Sequence, residues 1–411
     1  MKRLELLAPA GSLEALKAAL HFGADAVYGG MKRFGLRAFA GNFDPEALSE
    51  AVRLTHGAGK QFYVTLNSFP FDDELEDFVA AARQALACGV DAAIVADLGA
   101  IRLLRREVPE LPLHVSTQAN TVNLPAVEMY RELGCRRVIL AREMSLDRIR
   151  ALRAKAPEDI QLETFVHGAS CMAYSGRCML SAALTGRSAN RGACAQPCRW
   201  EYAVMEKKRP GEYYPVAEDG RGTYLFSARD LCLMPLLPDL CEAGISSLKI
   251  EGRMKTEYYV AVVTGAYRRG LDLLAEGKEA FEAALSQLME ELKTASHRES
   301  DTGFLLGAPE KPGGAEGFYQ SREYLARVLE EEGDDGRARL LLKNRFFAGD
   351  ALELMTASGV RKVVAAPFLR EKTGEILDTL GIAGETIRMP LPGARTGDLL
   401  RGPVRNHRQE G

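Results

Sequence analysis

Four cysteines crowd into one stretch of this chain, Cys171, Cys178, Cys194 and Cys198, and a fifth, Cys232, follows further on. The intervals are six residues, then fifteen, then three. Thiolates bind zinc and iron–sulfur clusters because sulfur is soft and the metal neutralises its charge. None of the spacings is a C-x2-C knuckle, which argues against a zinc ribbon. Two ligands close in sequence, with two more brought in by the fold, suit a cluster held in a loop. The competing reading is buried apolar cysteines. It fits Cys88, Cys135 and Cys241, which stand beside helix-ending glycines or on apolar faces.

The cysteine stretch is also basic. Between positions 170 and 210 seven cations, among them Arg177, Arg187, Arg191 and Arg199, face two acids. Trp200, Tyr202, Tyr213 and Tyr214 lie among or just beyond them. Cations interleaved with aromatics are what a looped RNA requires, for phosphate neutralisation and base stacking. A solvated charged loop is the plainer reading. A third set of polar residues sits where predicted strands end: Asn67, Gln118, Asn120, Arg142, Glu143, His167, Lys249, Glu251 and Arg253. Arg142 and Arg253 can clamp an anion through paired hydrogen bonds. Lys249, Asn67, Gln118 and Asn120 are expected to share in binding that substrate. Glu251 can serve as a base or pair with either arginine, and His167 can move protons or orient the cysteine loop. Structural ion pairs are the alternative for each.

The elements that must position these groups repeat one unit: amphipathic helix, glycine, short apolar strand. Predicted helices end at Gly23, near Gly89, at Gly134 and at Gly244, since glycine past a helix end accepts left-handed backbone cheaply. Eight apolar strands result, near residues 4–8, 24–28, 62–66, 90–95, 113–116, 136–140, 161–166 and 246–250. Apolar runs alternating with helices imply a parallel sheet buried on both faces, and eight of them a closed TIM-like (β/α)8 barrel. A doubly wound open sheet is the alternative. Residues 168–228 form a cysteine-rich insertion far longer than a connecting loop, and such excursions are usually functional. The barrel is placed at 1–320. From 321 to 411 short alternating strands with Gly-Asp turns at Gly349 and Gly397 read as a small C-terminal all-β barrel. With net charge −3 the chain as a whole does not attract polyanions, so nucleic acid would need a local patch. Glu5, Pro9, Gly11 and Glu14 interrupt the only leader-like apolar run, and no stretch is long enough to span a bilayer. A cytoplasmic location with reduced thiols and no membrane contact is therefore expected.

The run from Glu163 through His167, Cys171 and Cys178 to Ser181 resembles the signature of peptidase family U32, the collagenase-like proteins. Asn190 to Trp200, the Lys249-Ile-Glu251-Gly-Arg253 block, Leu6 to Gly11 and Ala26 to Gly30 are similar to its other conserved segments. Ser170 departs from the pattern, where an aliphatic residue is usual. The family name implies proteolysis, yet the sequence offers no nucleophile with an adjacent base and no metalloprotease helix. The resemblance implies instead an oxygen-independent hydroxylase. Its branches act on the wobble uridine of tRNA, on a cytidine of ribosomal RNA, or in the ubiquinone pathway. The C-terminal module favours the tRNA branch, which makes 5-hydroxyuridine. The resemblance further implies a four-cysteine cluster of the 4Fe-4S kind on Cys171, Cys178, Cys194 and Cys232, with prephenate as hydroxyl donor. Cys198 is then a spare or a substitute. Assembly as a homo-oligomer or with a paralogue of the family is a further expectation.

Overall fold

A computed structural model describes residues 4–36, 41–171, 174–200, 204–205, 213–214, 229–307 and 318–405. All eight expected strands are present. They are β1 (Glu5–Pro9), β2 (Ala26–Gly30), β3 (Gln61–Leu66), β4 (Ala92–Val95), β5 (Leu113–Val115), β6 (Arg137–Ile139), β7 (Gln161–Ala169) and, after one further strand described below, β9 (Ser247–Ile250). Each pairs in parallel with the next, and β9 pairs with both β7 and β1, so the sheet closes on itself. An additional strand, β8 (Asp230–Cys232), runs antiparallel along the end of β7. The open-sheet alternative is thereby excluded.

Helices α1 (Leu13–His21), α2 (Pro45–Gly57), α3 (Leu75–Ala87), α4 (Leu98–Glu107), α5 (Leu124–Glu132) and α6 (Leu146–Arg153) connect the first seven strands. Except in α3, their starts are set by side chains that accept from orphan backbone N–H groups, as Asp97 does from Ala100 at 2.8 Å. Gly23, Gly89, Gly134 and Gly244 all take the positive φ that their helix-ending role predicted. Among the described residues no helix is long and apolar enough to cross a membrane.

Charges lie inside the barrel. Arg137 of β6 donates to Glu163 of β7 at 2.9 Å and to Glu5 of β1 at 3.1 Å. Glu163 also meets the Lys249 ammonium of β9 at 3.0 Å. Ser247 and Tyr63 donate to Glu5 at 2.8 Å each. Glu163 is fully buried and the Arg137 and Lys249 side chains nearly so. Two acids and two cations thus balance where water cannot screen them.

After the short helices α7 (Leu180–Thr185) and α8 (Leu237–Glu242), α9 (Glu257–Glu276) and α10 (Lys278–Leu292) carry the C-terminal module. That module is an antiparallel eight-stranded sheet with its own apolar core; among the described residues no ladder joins its two edge strands, Gly359–Val364 and Ile376–Leu377. It is fastened to the barrel by buried polar contacts. Glu257 accepts from Tyr324 at 2.9 Å and pairs with Arg327 at 2.7 Å and Lys343 at 2.8 Å. Arg401 reaches Glu291 and Thr294 on the barrel side, and Met355 and Leu399 belong to the barrel's own core cluster.

Replacing Arg137 with methionine leaves the buried Glu163 with Lys249 alone and the half-buried Glu5 without a cation. The expected loss is about 3–5 kcal/mol of unfolding free energy, read as a lowered midpoint in urea. A variant within 1 kcal/mol or so of the parent would contradict a buried, mutually dependent charge set.

Candidate active site at the barrel mouth

A cavity of about 450 Å3 opens where the barrel strands end. Tyr28, Thr65, Phe165 and Lys249 line its inner part, and Arg142, Glu251 and Arg253 stand on the segments that follow β6 and β9. The Arg142 guanidinium lies 4.0 Å from the Phe165 ring centre and donates to the Ala169 carbonyl at 2.6 Å. Arg253 is buried and donates to Thr65 Oγ1 at 2.8 Å. Its space is reserved by Gly30, where a Cβ would come 2.2 Å from the Arg253 guanidinium. Glu251 accepts from the Gly252 amide at 2.6 Å. Burial pulls the Lys249 ammonium below its ordinary range; Glu163 opposes the pull, and the nearby Arg137 and Arg253 charges add to it.

The cysteine insertion forms the cavity's other wall. Cys171, Cys178, Cys194 and Cys198 all line it. Three attachments hold this wall. Glu143 accepts from the Ser175 amide at 2.8 Å. Gly176, at φ +74°, lies so near the Gln118 carbonyl that a Cβ would sit 2.0 Å from it. Arg191 pairs with both carboxylate oxygens of Glu74, at 2.6 and 3.0 Å, and covers the Phe71 ring. The Arg191 partner holds the Glu74 carboxyl down to about 2.

The structure separates some of the residues that the sequence placed together. Asn67, Gln118, Arg142, Lys249, Glu251 and Arg253 meet at the cavity, whereas Asn120 lies outside its wall. His167 and Cys232 are opposed across the β7–β8 ladder and line a different cavity, of about 300 Å3, on the α10 side. The cause is a register shift between Lys249 and Ile250, which pairs Phe165 with Lys249 but His167 with Ile250. Buried against Tyr259 and Tyr267, the His167 imidazole is pulled down to about 4. Of the four arginines expected to meet RNA, Arg177 and Arg187 are exposed, Arg191 is engaged by Glu74, and the Arg199 side chain lies outside the described residues. Residues 201–203 and 206–212, with the remaining basic and aromatic candidates Tyr202 and Lys207 to Arg209, lie outside them as well. Exposed Tyr174 and Met179 line the cavity, and Phe71, under Arg191, and Trp200, two residues past Cys198, are exposed as well. Phe71, Tyr174 and Met179 carried no sequence signal beyond nearness to a motif. Cys135, a presumed core residue, is indeed buried, and burial pushes its thiol up to about 12.

The thiols suit a soft metal or cluster in donor type. Among the described residues, however, no three Cys, His, Asp or Glu side chains are gathered as a metal-binding group. Cys232 does not share the cavity of the other four cysteines.

Models of two families match this chain in sequence: peptidase family U32 over residues 11–314, and the peptidase family U32 C-terminal domain over residues 320–401. The chain belongs to peptidase family U32. It is 36% identical to tRNA hydroxylation protein P of Escherichia coli, covering 95% of this chain and 94% of that one. Identity with tRNA hydroxylation protein P1 of Bacillus subtilis is 40%, over 86% and 83% of the two chains. The 23S rRNA 5-hydroxycytidine C2501 synthase of E. coli is 39% identical over 67% of this U32 protein and 40% of its own length.

Replacing Glu74 with glutamine should free Arg191 and speed amide hydrogen exchange in residues 189–191 at neutral pH. In the parent the carboxylate persists far below its usual range. Protection, corrected for intrinsic exchange, should therefore hold at pH 4 and be lost only as pH falls toward 2. Equal exchange in parent and variant would show that the pair does not hold the wall.

Proposed function

We propose that this U32 protein is an RNA-modifying enzyme that hydroxylates uridine at C5 in the wobble position of tRNA, without molecular oxygen. The observation that carries this reading is the near full-length similarity, C-terminal module included, to proteins named for tRNA hydroxylation. The cavity is compatible with it. Cations at its inner end suit an anionic hydroxyl donor, for which prephenate is the candidate, and Arg142, Lys249 and Arg253 would bind it. The exposed aromatic rim, with Arg177 and Arg187, suits a base turned out of a single-stranded loop. Glu251, opening on the same space, is the candidate for moving the proton at the reacting carbon.

A 4Fe-4S cluster would be held by Cys171, Cys178, Cys194 and Cys232 and would supply a redox or Lewis-acid centre. Cys198 lines the central cavity with the first three, so its role is tested beside that of Cys232.

Two measurements test the reading. Deleting the gene in a strain without a paralogue should remove 5-hydroxyuridine-derived nucleosides from bulk tRNA by mass spectrometry; unchanged nucleosides would reject it. Anaerobically purified protein should absorb near 400 nm, at about the wavelength of iron–sulfur charge transfer, and contain iron and sulfide. Alanine at Cys171, Cys178 or Cys194 should remove both. Retained iron in Cys232→Ala with loss in Cys198→Ala would reassign the fourth ligand.

A further inference from the structure

The inner end of the central cavity presents a primary amine. Lys249 is only 3% exposed, yet it lines the cavity. Its ammonium lies 3.0 Å from Glu163 and 4.3 Å from the centre of the Tyr28 ring. Arg137 binds the other Glu163 oxygen at 2.9 Å, and Arg253 stands near enough for its charge to be felt at Lys249. An amine becomes nucleophilic when it loses its hydration, when neighbouring cations disfavour its protonated form, and when a base touches it. Lys249 meets all three conditions. Balancing Glu163 does not require opening on a cavity: Arg137, the other cation of the set, meets the same carboxylate and does not line the central cavity.

We propose that Lys249 captures the carbonyl carbon of a 2-oxo acid as a Schiff base. The amine selects a carbonyl, and the guanidinium groups of Arg253 and Arg142 on the same cavity select a carboxylate. The closeness of Arg253 to Lys249 places that carboxylate on the carbon next to the carbonyl. In the reaction the ammonium proton passes to Glu163. The nitrogen lone pair forms a C–N bond as the C=O π pair moves onto oxygen, and one N–H proton transfers to that oxygen to give the carbinolamine. The hydroxyl then takes the proton held by Glu163, the C–O bond breaks, water leaves, and the nitrogen lone pair forms the second C–N bond. The products are a protonated imine and one water, and no oxidant or reductant is consumed. The protonated imine withdraws electrons and weakens the bonds on the adjoining carbon. The captured acid is thereby activated for bond cleavage beside the former carbonyl.

This inference rests on reading the central cavity as the reaction site, but neither RNA nor iron enters it. The test therefore uses the full-length protein alone, with pyruvate or phenylpyruvate and sodium cyanoborohydride. Intact mass and peptide mapping should find one reduced adduct per chain, on Lys249, with exposed Lys32 and Lys278 unmodified. Lactate, which lacks the carbonyl, should give no adduct and should slow trapping by pyruvate. Lys249→Arg, which keeps a cation beside Glu163, should abolish the adduct while its thermal melt stays near that of the parent. An unmodified Lys249 in the folded parent protein, or labelling spread equally over surface lysines, would overturn the proposal. If tRNA hydroxylation persists in cells while Lys249 resists trapping, this inference alone falls. If Lys249 is trapped while the deletion strain keeps its modified tRNA, the RNA reading alone falls.

Discussion

Two acids and two cations from four strands are shut inside the barrel, and the site is built outward from them. Glu5, Arg137, Glu163 and Lys249 link β1, β6, β7 and β9, the strands around the point where the sheet closes. Such a set contributes little net stability over an apolar core, because desolvation offsets the Coulombic gain. What it provides is position. Removing one member strands the charge of another, so register errors at the closing seam are penalised. Lys249 is the only one of the four that also lines the central cavity, and its orientation is therefore inherited from the whole set.

The thiol geometry follows from how β7 ends. Cys171 lies two residues beyond Ala169, and Asp230 is paired with Ala169 across the ladder. Cys232 is two residues further back, opposite His167. β7 ends at Ala169, so where Cys171 stands relative to Cys232 is decided by the turn that the chain takes at Ser170 and not by the ladder. The two cysteines line different cavities, so joint ligation by them requires the start of the insertion to turn back over β8. Cys198 needs no such turn to join Cys178 and Cys194, since all three already line one cavity.

Much of the fold was legible because its signals are local. Strands buried on both faces read as apolar runs, and left-handed glycines mark helix ends whatever packs around them. The insertion stood out by length, and its cysteines do face one cavity together with Arg142, Glu251 and Arg253. Three features were not legible. The register shift at Lys249 and Ile250 turns His167 away from the mouth, and nothing in the residue types announces it. Arg191 carries the same charge as Arg177 and Arg187, but only folding brings Glu74 beside it, 117 positions away. The closure of the barrel through Glu5 and Arg137 likewise joins residues 132 apart.

The two walls of the cavity are secured by unlike forces. The inner wall is held by charges that water cannot reach, so loosening it would expose unpaired ions at high cost. The outer wall is held at its far end by Arg191 and Glu74, both partly exposed, and water can replace each partner as the other leaves. Near β7 it is held more firmly, by the Glu143 bond to the Ser175 amide and by Gly176 against Gln118. A displacement of the insertion should therefore pivot about residues 175–176 and swing most at residues 189–198. Those are the residues that carry Cys194 and Cys198 toward or away from Lys249. Such a swing widens the mouth of the cavity and leaves the inner amine, held by Glu163 among the buried charges, undisturbed.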